Sequence, residues 1–167
     1  MLARQVGLKE KQEGSFVAGS AAVLEVLRRL GVPVSGADRI QDGSGLSRSN
    51  RLSPDTLTAV LRLAVSPEHP ELRQVLTGLP VAGFTGSLQD RFDQGPDRAR
   101  GRVRAKTGTL TGVHGLAGVA EDAGGARLAF VVVADRVALP KNLEAQEQID
   151  RIAGALGACS CGVGSSS

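Results

Sequence analysis

A change in hydrophobic period divides this sequence into a helical part and a strand-forming part. Apolar residues recur at helical spacing up to about residue 76, whereas from residue 102 onward they alternate or run continuously. The second part contains three strand-like segments, 102–107, 113–120 and 128–133. The connection 121–126 contains two adjacent glycines and is short enough for a hairpin. We therefore expect at least the last two strands to pair antiparallel.

Start and stop signals predict helices on both sides of these strands. The predicted helices are 1–9, one from Ser15 as N-cap to Gly31, one that begins with Ser53-Pro54, a short one at 71–76 and one that Pro140 opens. The apolar stripes expected to be buried are Phe16, Val23, Leu24, Leu27 and Leu30, then Leu57, Val60, Leu61 and Ala64, and finally Leu143, Ile149, Ile152, Ala153 and Leu156. Helices, an antiparallel sheet and a closing helix predict an α+β fold.

The first predicted strand carries the triplet Lys106-Thr107-Gly108, followed by Thr109. These residues offer an ammonium, two hydroxyls and a backbone that can be approached closely, which together suit an anion. Taken alone, the triplet favours a solvent-exposed strand lysine on a charged face with Arg102 and Arg104. The segments before it change that interpretation.

Two of these segments are Asp42-Gly43-Ser44-Gly45-Leu46-Ser47-Arg48 and Leu79-Pro80-Val81-Ala82-Gly83, which leads to Gly86-Ser87-Leu88. With them, the chain resembles the C-terminal half of the catalytic domain of the penicillin-binding D-alanyl-D-alanine carboxypeptidase/endopeptidase family. The resemblance runs from about residue 1 to residue 157. It implies the C-terminal part of a serine β-lactamase/transpeptidase-like domain over 1–157. The Cys-Ser-Cys-Gly sequence and the serines after it predict a flexible tail over 158–167.

Two of the three motifs of penicillin-binding proteins are missing from this sequence. The set is Ser-x-x-Lys, Ser-Asp-Asn or a similar Ser-x-Asn, and Lys-Thr-Gly, and only the last occurs here. No lysine has a serine three places before it, and neither asparagine has a serine two places before it. We therefore interpret the chain as a fragment, with the nucleophile and its bases upstream and Met1 an internal residue or a misplaced start.

The resemblance implies a role for each residue around the triplet. Lys106 is the catalytic residue, which holds the serine of the second motif and stabilises negative charge. Thr107 and Thr109 bind the terminal carboxylate of the substrate, and the Thr109 N–H forms half of an oxyanion hole. Gly108 belongs to the substrate-binding set because it permits close approach.

The function implied by the resemblance is that of a serine-type D-alanyl-D-alanine carboxypeptidase, which acts through an acyl-enzyme on peptidoglycan stem peptides outside the cytoplasm. No metal and no organic cofactor is implied. The expected partners are the stem peptide, β-lactam inhibitors and the upstream half of the same domain. The alternative is a non-catalytic module or pseudoenzyme that binds cell-wall peptide. Ser-x-x-Lys and Ser-x-Asn in frame upstream would distinguish the two.

Composition argues against two other classes of protein. The net charge is +3, from 20 basic and 17 acidic residues, and the sequence has four Phe but no Tyr or Trp, so it lacks the stacking residues typical of nucleic-acid binders. Cys159 and Cys161 cannot by themselves make a four-ligand zinc site. The N-terminus has no signal-like sequence, which a fragment would have lost.

Three further polar residues have structural interpretations. Asp42 starts a Gly/Ser loop, which is typical of an Asp-initiated turn and also lies near the cleft in the family that the chain resembles. His69 is expected on the surface. His114 is expected to be a half-buried strand residue whose ring is satisfied by backbone or water.

Overall fold

The computed structural model describes residues 1–93 and 99–161, and the chain forms two compact units, Met1–Val60 and Leu61–Ser167. The helices are α1 (Leu2–Lys11), α2 (Phe16–Arg29), α3 (Pro54–Val65), α4 (Arg73–Thr77) and α5 (Asn142–Ala158). The strands are β1 (Val103–Leu110), β2 (Val113–Glu121) and β3 (Arg127–Ala134). Single 3₁₀ turns lie at Pro70–Leu72, Gly86–Leu88 and Leu139–Lys141. The α+β class with an antiparallel sheet is confirmed.

Close backbone contact holds α1 and α2 together in the first unit. A Cβ atom added at Gly7 would lie 2.7 Å from the Gly19 nitrogen, and one added at Gly19 would meet the Ala3 carbonyl. The buried face of α2 consists of small residues for this reason, and the predicted burial of Phe16 is wrong. Phe16 is 60% exposed, and the Arg4 guanidinium lies 5.5 Å from its ring centroid.

A buried carboxylate organises the start of α3. Asp38 accepts hydrogen bonds from the Thr56 hydroxyl at 2.6 Å and from the N–H groups of Ser53 and Ser35 at 2.7 Å each. Burial raises the pKa of Asp38, but the bonds from Thr56, Ser53 and Ser35 together outweigh it, so the net pKa is below its ordinary value. Ser53 is the N-cap of α3, as the sequence predicts: its Oγ accepts from the Thr56 N–H at 3.1 Å.

The sheet of the second unit has the order β1-β2-β3, and both pairs are antiparallel. One face packs against α5. That core contains Ala82, Leu88, Phe92, Ala99, Val103, Ala105, Leu116, Ala120, Phe130, Ile149 and Ala153. On the other face, Val119 packs with Ala64 and with Leu76 of α4. The sheet is therefore covered on both sides over part of its area.

The expected inward face of α5 is only partly correct. Ile149 and Ala153 are buried, but Leu143 is 67% and Ile152 is 50% exposed. Leu143 lies in the first turn, ahead of the buried positions, and Ile152 points away from the stripe that Ile149, Ala153 and Gly157 form. Pro140 lies in the 3₁₀ turn before α5 and does not open the α-helix itself.

The C-terminal end of α5 is tied to the hairpin between β2 and β3. The Ala123 N–H donates to the Cys159 carbonyl at 2.7 Å, and Cys159 forms a disulfide with Cys161. Residues 162–167 lie outside the described residues, so the flexible tail over 158–167 stays a prediction. No helix in 1–93 or 99–161 is both long and apolar enough to cross a membrane.

The first prediction concerns Gly118, which faces Ala105 across β1 and β2. A Cβ atom at Gly118 would lie 2.6 Å from the Ala105 Cα and would also strike the Arg104 carbonyl, so Gly118→Ala has to push β1 away. We expect a loss of roughly 1–3 kcal/mol in the free energy of unfolding, the usual cost of overpacking. Thermal unfolding followed by far-UV circular dichroism measures it.

Gly108→Ala is the matched control in the same pair of strands, because nothing lies within 4 Å of a Cβ atom at Gly108. It should leave the stability unchanged or raise it by up to about 1 kcal/mol. Equal stability of the two variants would contradict the role given to Gly118.

Candidate active site

The outer edge of β1 is half covered. The Ala82 N–H donates to the Val103 carbonyl at 2.9 Å, and the Ala105 N–H donates to the Pro80 carbonyl at 3.0 Å. These bonds show that the polar backbone groups of the odd-numbered residues of β1 face away from β2. The bridge between Val81 and Arg104 is isolated, so the covering segment leaves the edge at Ala105.

The next odd-numbered residues, Thr107 and Thr109, therefore turn their N–H groups to an uncovered edge. Outside the ladder between β1 and β2, no backbone carbonyl within residues 1–93 and 99–161 accepts from either N–H. Both belong to β1, which is held in register by the pairs Thr107–Leu116 and Thr109–His114. The arrangement supplies fixed backbone donors that are open to an acceptor from outside this part of the chain.

Lys106 reaches the same edge from the opposite face of the strand. Its side chain is exposed, and its Nζ donates to the Thr107 carbonyl at 2.7 Å. The ammonium therefore lies beside the edge that exposes the Thr107 and Thr109 N–H groups. This meets the condition under which two adjacent strand residues can serve one site, since their side chains start on opposite faces.

The hydroxyl of Thr107 is positioned by the 3₁₀ turn Gly86–Leu88. It donates to Ser87 Oγ at 3.1 Å, while Leu88 from the same turn is fully buried in the core. Gly86 has φ +56°, a conformation that favours glycine. Ser87 was not singled out from the sequence, although the turn-forming Gly86 directly before it was a usable signal.

Gly108 and Thr109 complete the exposed stretch. Both are exposed, and the space around a Cβ atom at Gly108 is open to 4 Å. Behind Thr109, its cross-strand partner His114 is buried, and His114 Nε2 lies 2.9 Å from Asn142 Oδ1. His114 thus has a structural position in the strand, but it is buried and not half-buried as expected. Its partner, however, is the side chain of the first residue of α5 and not backbone or water.

An ion pair anchors the segment that flanks the edge. Arg91 donates to both carboxylate oxygens of Asp150 on α5, at 3.0 Å from Nε and 2.6 Å from Nη2, and both side chains are nearly buried. A bidentate pair of this kind fixes orientation as well as distance. Sequence reasoning missed it because its partners lie far apart in the chain and on elements without a shared pattern.

Arg100 contacts the glycine-rich connection that precedes β1, which contains Gly83, Gly86, Gly95 and Gly101. Its Nη2 donates to the Gly83 carbonyl at 3.0 Å, and its guanidinium lies 5.9 Å from the centroid of Phe84. Gly83 has φ +73°, and a Cβ atom there would lie 2.5 Å from Arg100 Nε. Gly95, which the sequence places in this connection, lies outside the described residues.

The loop that Asp42 starts belongs to the first unit and is a closed hydrogen-bonded turn. The Asp42 carboxylate accepts from Asn50 Nδ2 at 2.7 Å, from Ser44 Oγ at 2.8 Å and from the N–H groups of Gly45 and Ser47 at 3.0 Å each. These bonds, with that from Asn50 the strongest, lower the pKa of Asp42 from 3.8 to about 2. The turn interpretation therefore accounts for the loop.

The remaining ionisable residues can be compared with the requirements of a metal centre only where the structure describes them, in 1–93 and 99–161. No group of three or more His, Cys, Asp or Glu side chains in the described part of the chain has the geometry to hold a metal ion. His69 Nδ1 lies 3.3 Å from Glu71 Oε1 near the surface, as expected of a surface histidine.

Comparisons with known proteins agree on one family. The model of the D-Ala-D-Ala carboxypeptidase 3 (S13) family matches residues 1–156. The chain is 39% identical over 163 residues to carboxypeptidase DacB of Mycolicibacterium smegmatis, covering 96% of this chain and 34% of that protein. It is 37% identical over 154 residues to a D-alanyl-D-alanine carboxypeptidase of Actinomadura sp., covering 89% and 28%.

A solved structure gives the same result. Penicillin binding protein 4 (dacB) from Haemophilus influenzae, solved in complex with a β-lactam, superposes with a TM-score of 0.83 at 29% identity, over 95% of this chain and 37% of that chain. The chain thus spans about a third of the length of the relatives that it matches.

The second prediction concerns the pH dependence of the Asp42 turn. A carboxyl whose pKa is lowered in the folded chain stabilises its turn fully above the ordinary value of 3.8, and this contribution is lost as pH falls through about 2. We therefore expect the Gly45 and Ser47 amide resonances to titrate with a midpoint near 2 in NMR spectra.

Asp42→Asn removes the charge but keeps the shape of the side chain. In that variant the step near pH 2 should vanish from both amides. A midpoint near the ordinary 3.8 in the unchanged chain would show that the bonds to the carboxylate do not hold in solution.

Proposed function

The chain belongs to the D-Ala-D-Ala carboxypeptidase 3 (S13) family, and from this premise we propose that it supplies the oxyanion- and carboxylate-binding wall of a serine-type D-alanyl-D-alanine carboxypeptidase. The substrate would be the stem peptide of peptidoglycan, which places the reaction outside the cytoplasm, and β-lactams would acylate the same site. The activity belongs to a site whose serine nucleophile this chain does not contain.

The observation that carries the proposal is the uncovered edge of β1 at Thr107 and Thr109 beside the Lys106 ammonium. An acyl transfer develops negative charge on the carbonyl oxygen under attack. Backbone N–H donors held in a sheet can meet that charge without reorganising, and removal of one such donor typically costs ~3 kcal/mol of transition-state stabilisation. The Thr109 N–H is the donor that we assign to the oxyanion.

Side chains on the two faces of β1 would have two further functions, the stabilisation of charge and the binding of the substrate's carboxylate. The Lys106 ammonium lies at the edge, where it offsets negative charge and can hold a neighbouring hydroxyl group. We assign the Thr107 hydroxyl, which donates to Ser87 Oγ, to the end of a peptide that extends along the edge. A free terminal carboxylate there would receive a hydrogen bond from Thr107, which accounts for carboxypeptidase specificity.

The third prediction tests Lys106 in a protein that carries this chain together with the family's Ser-x-x-Lys and Ser-x-Asn motifs. A methyl group cannot stabilise charge in the transition state, so Lys106→Ala should slow acylation by a penicillin ~100-fold or more. Stopped-flow or quench-flow measurement of the acylation rate constant gives this number.

Lys141→Ala is the control, because it removes the same side chain from the exposed 3₁₀ turn before α5. Its acylation rate should match that of the parent protein. Near-normal acylation of Lys106→Ala would show that the Lys106 ammonium does not stabilise the transition state.

The fourth prediction separates the role of Thr107 from that of Lys106. Thr107→Val keeps the β-branched shape and loses the hydroxyl, so it should raise KM for a peptide that ends in a free D-alanine carboxylate. The same peptide with an amidated C-terminus should be affected much less, since it offers no carboxylate. An equal effect on both peptides would exclude Thr107 as the carboxylate-binding group.

A further inference from the structure

A second positively charged site lies in the second unit, on the face of the sheet away from α5. It is a pocket of about 420 Å³ between α4 and the strands. Arginines from three elements line it, namely Arg73 of α4, Arg104 of β1 and Arg127 of β3, with Arg102 just before β1. Nothing in the site at the edge of β1 uses these side chains.

The floor of the pocket is apolar and its wall is cationic. Leu76 and Val119 line it, and both belong to the small core on this face of the sheet. Arg104 is the register partner of Val119, so its side chain leaves the strand beside that floor. The position of Arg104 is thus set by the β1–β2 register, while Arg73 lies on α4 and Arg127 lies on β3.

Most of the positive charge in the pocket is uncompensated. Arg102 donates to the Asp122 carbonyl at 2.8 Å, a neutral acceptor. Within the described part of the chain, no carboxylate forms an ion pair with Arg73, Arg104 or Arg127. The one acid among the residues that line the pocket is Glu121, the register partner of Arg127, and the two side chains do not form an ion pair. Four guanidinium groups against one carboxylate leave an excess of positive charge.

We propose that this pocket binds the phosphate group of an anionic ligand. Guanidinium groups donate in pairs to the oxygens of phosphate and of carboxylate. Donors from three elements that line one pocket match the three or more oxygens of a phosphate group better than the two of a carboxylate. A phosphate group also carries more negative charge than a carboxylate, so it offsets more of the excess positive charge in the pocket. The apolar floor would contact the organic part of a phosphate ester.

A monoester and a repeating phosphodiester polymer both carry a phosphate group, and it is this shared group that the pocket recognises. The inference does not depend on the proposed peptidase activity, since the pocket residues lie on the sheet face and contribute no donor to the edge at Thr107 and Thr109. A failure of one proposal is therefore distinguishable from a failure of the other.

The fifth prediction is tested by isothermal titration calorimetry of the full chain at low salt, with inorganic phosphate as the first probe. Binding should saturate at one site. Arg73→Gln and Arg127→Gln should each weaken it about tenfold, the effect of losing one charged hydrogen-bonding partner. Both arginines are exposed, so neither change should shift the melting temperature. Each variant therefore tests phosphate binding independently of the other.

Arg151→Gln, at an exposed position on α5, is the matched control for the loss of one positive charge, and should bind phosphate as the parent does. Glycerol phosphate and poly(glycerol phosphate) then distinguish a monoester from a diester, and acetate serves as the carboxylate. Phosphate binding that does not saturate, equal weakening by Arg151→Gln, or acetate binding as tight as phosphate binding would each overturn the proposal.

Discussion

The site depends on where the segment Pro80–Ala82 stops pairing with β1. Up to Ala105 the outer edge of the strand is satisfied by this segment, and beyond it two N–H groups are left without a backbone acceptor in the described part of the chain. Had the pairing continued by two residues, the Thr107 N–H would be used within the sheet. An uncovered edge is normally an aggregation hazard, which proteins tolerate where it serves a function.

The chain after Ala82 leaves the edge of β1 because its side chains are buried in the core and bound to α5. Leu88 and Phe92 are buried under the sheet, and Arg91 between them is fixed on Asp150 of α5. Phe92 holds φ +70°, which an ordinary side chain adopts only when its surroundings compensate. The path of the chain after Ala82 is thus determined by three anchors, and Ser87 meets Thr107 as a consequence.

The sequence predicted the parts of the fold that depend on local patterns. The three strands, the hairpin around Gly124-Gly125 and the N-caps at Ser15 and Ser53 all follow from neighbouring residues, and the structure contains them. The exposure of Leu143 and Ile152 could not be predicted from the sequence. Periodicity identifies the apolar face of α5, but it does not show how much of that face the sheet covers. Ser87, Arg91 and the His114–Asn142 contact are long-range, and no local signal specifies their partners.

Strand alternation explains how β1 serves two different surfaces. Its odd-numbered side chains, Val103 and Ala105, enter the core under α5, and small residues there let β2 approach closely enough for Gly118 to touch the strand. The even-numbered positions are then left to Arg104 and Lys106 on the other face. Near Arg104 the covering residues of α4 turn this face into a pocket, whereas at Lys106 the edge is open and the ammonium folds over it. Arg104 and Lys106 lie on the same face of one strand but line two different surfaces, the pocket beside α4 and the exposed edge, because the residues packed around them differ.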